Sequence, residues 1–246
     1  MDLFFELHRD LPREGPGEAA STNRAFDLMT GLPAQARLLD IGCGPGLQTM
    51  ELARVSTASI LAIDNHQPFL DALARRAAQA ALSDRITIRN QSMFALDFIK
   101  PGSFDAIWSE GAIYIIGFEK GLREWQPFLK KGGYLAVTEL SWLKAAPPAE
   151  AKAFWNENYP GMQPLEQNLA TLRKAGYREA GHFVLPESAW WEDYYTPLEQ
   201  RIRILAEKYR DNEETLAFLS SSQREIEMYR QYSEWYGDVF YVMRTK

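Results

Sequence analysis

Between Arg37 and Leu140 the chain alternates short apolar runs with longer stretches of helical periodicity, and this alternation limits the folds open to it. The runs Arg37–Ile41, Ser59–Ile63, Ile86–Asn90, Phe104–Trp108 and Gly133–Leu140 read as buried strands. Helical patterns separate several of them, at about Leu47–Val55, Pro68–Ala81 and Phe118–Leu129. Strands and helices in turn build right-handed crossover units, and such units make a parallel sheet.

The pattern changes after Trp142. Ala145-Ala146-Pro147-Pro148 reads as a linker, followed by helices over Ala149–Asn158 and Gln163–Ala175, a strand over Gly181–Leu185 and a final strand over Asp238–Arg244. Residues 197–236 carry Glu, Arg and Lys at helical spacing and read as polar-amphipathic helix. Upstream, residues 1–20 read as irregular, because Leu11-Pro12 and Gly15-Pro16-Gly17 interrupt any helix; Ser21 reads as the N-cap of a helix through Met29. A length of 246 residues suits one domain with insertions. The expected division is a core over about 21–142 and 163–246, with cap or lid elements over about 1–20, 143–162 and 190–236.

Charge narrows the function. A formal net charge of −6 and the absence of a basic run beyond Arg75-Arg76 and Lys130-Lys131 argue against nucleic acid as substrate. No apolar run approaches the roughly 20 residues that cross a bilayer, and Met1–Leu11, with five charged or histidine side chains, is no signal peptide. A cytoplasmic protein without membrane or nucleic-acid partners, monomer or homodimer, is expected. Three scattered His and one Cys show no ligand spacing, so no metal site is expected.

The chemistry concentrates at Leu38-Leu39-Asp40-Ile41-Gly42-Cys43-Gly44-Pro45-Gly46, where a strand runs into glycines and then a helix. Such a turn lets backbone approach a ligand where a Cβ would clash. Asp40 precedes the glycines, and a pyrophosphate placed here would face a carboxylate, whereas the ammonium of an amino-acid moiety would be favoured. The glycines follow G-x-G-x-G and not the dinucleotide pattern G-x-G-x-x-G. Both points favour S-adenosylmethionine over NAD. Asp64 ends the second strand about 20 residues on, where a carboxylate accepts ribose hydroxyls.

Leu38–Gly46 resembles motif I of the class I S-adenosylmethionine-dependent methyltransferases, and Ile60–Asp64 their motif II. Lys130-Lys131-Gly132-Gly133-Tyr134-Leu135 is similar to the family's turn before strand five. Ile107-Trp108-Ser109-Glu110-Gly111-Ala112-Ile113-Tyr114 resembles a small-molecule subgroup, as do Phe4-Phe5-Glu6-Leu7 and Pro12-Arg13-Glu14-Gly15-Pro16-Gly17. The resemblance implies a Rossmann-like α/β fold with a mostly parallel seven-stranded sheet, an antiparallel last strand and helical cap insertions. It also implies transfer of a methyl group to a small-molecule acceptor at nitrogen or oxygen, with S-adenosyl-L-homocysteine as product.

By the same resemblance Asp40, Gly42 and Gly44 line the methionine end of the cofactor, with Gln48 reaching its carboxylate and Gly46 also counted among the cofactor-binding residues. Asp64 takes the ribose, Asn65, Ser92 and Met93 border the adenine, and Ser109 lies beside the transferring methyl. Ser92 stands where the family often has an acid. Glu110 is the leading candidate for a base or for an electrostatic partner of a cationic acceptor, since strand ends face the ligand crevice. Tyr114 and His8 are further candidates. Cys43, without a base partner, reads as structural. His66 lies near adenine or solvent, and His182 is a strand residue. Trp142, Trp155, Trp190, Trp191 and Tyr195 are either an aromatic wall for a flat or cationic acceptor or core packing. Two rivals stay open at this point: an NAD-type oxidoreductase, and a protein that binds the cofactor without turnover.

Overall fold

A computed structural model describes residues 3–246. Its sheet uses the apolar runs as strands β1 (Arg37–Ile41), β2 (Ser59–Asp64), β3 (Ile86–Asn90), β4 (Phe104–Ser109) and β5 (Leu129–Trp142). Three more follow: β6 (Gln163–Pro164), β7 (Tyr177–Val184) and β8 (Tyr236–Thr245). The order is β3-β2-β1-β4-β5-β8-β7, with the two-residue β6 beside the end of β5. Strands β1 to β5 pair in parallel, and β8 runs antiparallel to both β5 and β7. The fold is the Rossmann-like α/β arrangement, with the minor strand β6 added to the seven that sequence suggested.

The helices α1 (Leu3–Leu7), α2 (Ala19–Asp27), α3 (Leu47–Val55) and α4 (Gln67–Gln79) come from the first third of the chain. They are followed by α5 (Ile113–Ile116), α6 (Phe118–Trp125), α7 (Ala149–Asn158), α8 (Leu165–Lys174), α9 (Glu187–Trp190), α10 (Thr196–Lys208) and α11 (Glu213–Tyr232). One apolar cluster unites Ala25 and Met29 with Met50, Leu52, Leu70, Leu73 and the strand residues Leu38, Ile60 and Trp108. Another joins Leu39, Ile41 and Leu135 to Leu122, Trp125, Leu169 and Leu172. Successive β1 residues therefore feed opposite layers, as the two-residue period of a strand requires. A third cluster, with Leu7, Phe154, Trp190, Tyr195, Ile226 and Tyr229, is the private core of the cap formed by α1, α7 and α9 to α11.

Several boundaries differ from the sequence reading, each for a local reason. Residues 1–20 are not wholly irregular, since Leu3–Leu7 is helical. Helix α2 starts at Ala19, with Glu18 at its N-cap, so Ser21 lies inside it and donates its hydroxyl to Glu18 Oε1 at 3.2 Å. Helix α6 gives way to a 3₁₀ turn at Gln126–Phe128, where Pro127 has no backbone N–H to continue the α ladder. Gln163–Pro164 is extended and pairs with Ser141 and Trp142, so α8 begins only at Leu165. The polar stretch 197–236 is two helices, divided where Asn212 Oδ1 accepts from Thr215 N at 2.9 Å and caps α11. Between α9 and α10 the chain makes one π-helical turn, Trp191–Tyr195, which inserts an extra residue where the cap meets the sheet.

The strand order reverses between β1 and β4: the chain steps outward from β1 to β3 and then returns to the other side of β1. Open α/β sheets bind ligands at this switch point, beyond the carboxyl ends of the strands.

Candidate active site

The crevice at the switch point begins with the glycine turn. Gly42 and Cys43 both donate their backbone N–H to Ile63 O, at 2.9 and 3.0 Å, tying the turn to the end of β2. Gly42 has φ +72°, and a Cβ there would overlap the Ala112 side chain, so glycine is required twice over. Gly46, at φ +86°, is likewise pressed against Leu73. Asp64 closes the other side: its Oδ2 accepts from Gly44 N at 3.0 Å and its Oδ1 from His66 N at 2.8 Å. A carboxylate offers about four acceptor sites, so each oxygen keeps a lone pair for a ligand hydroxyl. Gln48 donates from Nε2 to Cys43 O at 2.9 Å.

Of the residues singled out in the sequence, Gly42, Gly44, Gln48, Asp64, Asn65, Ser92, Met93, Glu110 and Tyr114 line this crevice. Asp40, Gly46 and Ser109 do not line it. Ser109 is fully buried, with its hydroxyl spent on Ile41 O at 2.9 Å, which bridges β4 to β1. Asp40 lies behind the turn. Its Oδ2 accepts from Thr49 Oγ1 at 2.5 Å while Oδ1 has no partner, and burial pushes its pKa up to about 7. The Cys43 thiol is pushed well up by burial and stays protonated and inert.

The N-terminal segment closes over the crevice. Glu110, at the end of β4, accepts from Arg13 Nη1 at 3.1 Å, Thr22 Oγ1 at 2.7 Å and Trp108 Nε1 at 2.8 Å. Arg13 and Glu110 are both buried, so this is an ion pair screened little by solvent, and it pins the strap 12–17 onto the sheet. Gly17 N donates to Ala189 O at 2.9 Å and fixes the strap to the cap as well. Phe5 of α1 lies flat on the His66 ring, with centroids 3.7 Å apart. Sequence reasoning quoted the segment Pro12–Gly17 but assigned its side chains no contact.

A second cavity of about 380 Å³ adjoins the first. Phe4, Glu14, Gly15, Pro16, Gly111 and Tyr114 face both spaces, so they form the passage between them. His8 lies on the second cavity, buried, with Nδ1 2.8 Å from Glu14 Oε2. The floor is the carboxyl end of β5 and the start of β8: Thr138, Glu139 and Asp238. Because β8 is antiparallel, Asp238 sits opposite Leu140, at the same edge of the sheet as Glu139. The cap supplies Phe154, Trp155, Tyr159, Trp190, Tyr194 and Glu225.

The tryptophan-rich segment therefore divides: Trp155 and Trp190 face the cavity, whereas Trp142, Trp191 and Tyr195 pack, for example Trp142 edge-on against Tyr236 at 6.0 Å. His66 borders the crevice and His182 is a strand residue bonded to Glu179 at 2.7 Å. Glu139, Glu225 and Asp238 had not been singled out. A signal for the first existed, since Glu139 is an acid near the carboxyl end of a strand; Asp238 and Glu225 become neighbours only through the cap and the antiparallel strand.

Residues 38–133 match the family model described as a methyltransferase domain. The chain therefore carries a methyltransferase domain, and its fold is the one seen in S-adenosylmethionine-dependent methyltransferases. It is 26% identical over 87% of its length to 27-O-demethylrifamycin SV methyltransferase of Amycolatopsis mediterranei, spanning 79% of that protein. It is 34% identical to arginine N(omega)-methyltransferase of Streptomyces achromogenes over 44% of this chain, but spans only 32% of that protein. A methyltransferase from Geobacter sulfurreducens, solved with S-adenosyl-L-homocysteine, superposes over 100% of this chain and 98% of that one, with TM-score 0.82 and 21% identity. No helix among the described residues is long and apolar enough to cross a membrane.

Proposed function

We propose that this protein transfers a methyl group to a small molecule, at nitrogen or oxygen, and that the acceptor occupies the second cavity. The observation that carries this reading is the shared passage through Glu14, Gly111 and Tyr114, which joins the crevice to a second cavity walled in part by Phe154, Trp155, Tyr159, Trp190 and Tyr194. A chamber of this size suits a small molecule and not a polymer chain. S-adenosylmethionine, when bound, supplies a methyl carbon made electrophilic by the adjacent sulfonium. The residues present fit that cofactor: the glycine turn leaves room for close backbone approach, and Asp64 keeps free lone pairs for ribose hydroxyls.

In this reading Asp64 binds the ribose, Gly42, Gly44 and Gln48 hold the methionine end, and Asn65, Ser92 and Met93 border the adenine. Asp40 favours the ammonium through its buried charge without reaching the crevice. Ser109 and Gly46 support the turn from behind. Glu110 serves as the anchor of the strap, since three donors already occupy its oxygens. The base for the acceptor is then His8, whose ring Glu14 orients, with Tyr114 shaping the passage. Exclusion of water and alignment of acceptor with methyl carbon account for most of the rate. The strap together with segments 143–162 and 190–236 acts as the lid on a single domain, and the protein works in the cytoplasm as a monomer or homodimer.

The test is a screen of amines, phenols and carboxylates for S-adenosylhomocysteine release, repeated with His8→Asn. Turnover of at least one small acceptor, reduced roughly 10²–10⁴-fold in the variant, is expected. Cofactor binding without turnover of any acceptor would sink the proposal, and full activity of the variant would remove His8 from it.

A further inference from the structure

The acceptor chamber carries an unusual charge distribution. Four carboxyl groups line it, from Glu14, Glu139, Glu225 and Asp238, and among the described residues no lysine or arginine does. Only His8 offers a possible positive charge, and Glu14 already holds it. Glu139 is 98% buried: its relative exposure is 2%. Its Oε1 accepts from Tyr159 at 2.5 Å, but Oε2 has no partner at all. A buried acceptor without a donor is costly, so the free protein holds a carboxyl group that lacks its counterpart. Asp238, 7% exposed, receives no side-chain donor either, and Glu225 stands near enough to oppose its ionisation.

The remaining wall is aromatic. Trp155, Tyr194 and Tyr159 offer ring surface around the acidic floor, and π faces attract cations most strongly where water is excluded. Carboxylates and rings together select one class of ligand. An anionic acceptor would meet like charge from several sides, and a neutral one would leave Glu139 Oε2 orphaned.

We propose that the methyl acceptor carries a cationic nitrogen (an ammonium, amidinium or guanidinium group) held by Glu139 and Asp238 in the aromatic chamber. This rests on the reading of the chamber as the acceptor site and adds the substrate's charge to it. The cationic group anchors the molecule at the floor, while the atom to be methylated faces the passage beside Tyr114 and His8. Burial pushes Glu139 up to about 8 and Asp238 to about 7, so the empty chamber is partly protonated at neutral pH. Entry of a cation lowers both and expels protons.

The experiment is calorimetry on the protein loaded with S-adenosylhomocysteine, using tyramine, its uncharged analogue 4-ethylphenol and its anionic analogue 4-hydroxyphenylacetate as probes. Tyramine is expected to bind at least roughly tenfold more tightly than either analogue. It should also release protons at pH 7, read as a dependence of the heat on the ionisation enthalpy of the buffer. Glu139→Gln and Asp238→Asn should each erase most of the preference for the amine while leaving S-adenosylhomocysteine binding unchanged, and thermal melts check that both variants fold. Equal affinity for the three probes, no measurable tyramine binding, or a preference that survives both substitutions would overturn the proposal. Failure of the wild-type protein to bind S-adenosylhomocysteine would instead refute the cofactor reading beneath it.

Discussion

The two adjoining cavities are built in different ways. The cofactor crevice is made of strand ends and the turns that leave them: 42–48 after β1, 64–66 after β2, 91–94 after β3 and 110–115 after β4. Its critical contacts use backbone, such as Gly44 N and His66 N on Asp64. The acceptor chamber gathers side chains from α1, β5, α7, the π-helical turn, α11 and β8, and its outer wall belongs to a cap with its own apolar core. Backbone geometry resists substitution of everything but its glycines, whereas a side-chain wall changes with any residue that lines it. One fold can thus keep its cofactor and exchange its acceptor. The strap 12–17 is the part common to both, since Glu14, Gly15 and Pro16 face each space.

That contrast can be broken first at the strap. Glu110→Ala leaves buried Arg13 with only the half-exposed Asp193, 4.0 Å away, as a carboxylate partner, and losing the buried member of the pair costs up to about 3–5 kcal/mol. Urea unfolding should show this loss, accompanied by weaker binding in both cavities. An unchanged midpoint would mean that the strap is not held by this pair.

A smaller effect separates the cavities. If Asp64 takes the ribose hydroxyls as proposed, Asp64→Ala should weaken S-adenosylhomocysteine by roughly 100-fold, while an acceptor analogue bound in the chamber loses far less. Comparable losses for both ligands would show that the two spaces are one site.

A third test reads the buried carboxyls together. Asp40 and Asp238 rise to about 7 and Glu139 to about 8. The folded state therefore binds more protons than the unfolded one between about pH 4 and about pH 8, and stability falls as pH rises through that window. Melting of the free protein should show a declining midpoint from about pH 5 to about pH 8. Glu139→Gln should make the decline shallower by removing the chamber's share, and leave the part due to Asp40 behind the crevice. A midpoint that rises across the window would contradict the assignment.

Five strands of the parallel core and the glycine turn were legible because each is coded within a few adjacent residues. Arg37–Ile41 shows its burial in its own apolar run, and Gly42 shows its role by lacking a side chain. The place of Asp64 beside the glycine turn followed from spacing alone. Asp40, Gly46 and Ser109 share the motif with the lining residues, but strand alternation and the curl of the turn direct them away from the crevice. Glu110 read as a base or an electrostatic partner of the acceptor, and its hold on the strap was not legible because two of its three donors lie 88 and 97 residues away in sequence.

The sequence by itself determined the sheet, the glycine turn and the carboxylate at the end of β2, since periodicity and short motifs act over one crossover unit. Only the tertiary structure decided which acids face each other across the chamber. Glu139 in β5 is far in the chain from Glu225 and Asp238 in α11 and β8, and their charge matters only because folding removes the water that would screen it.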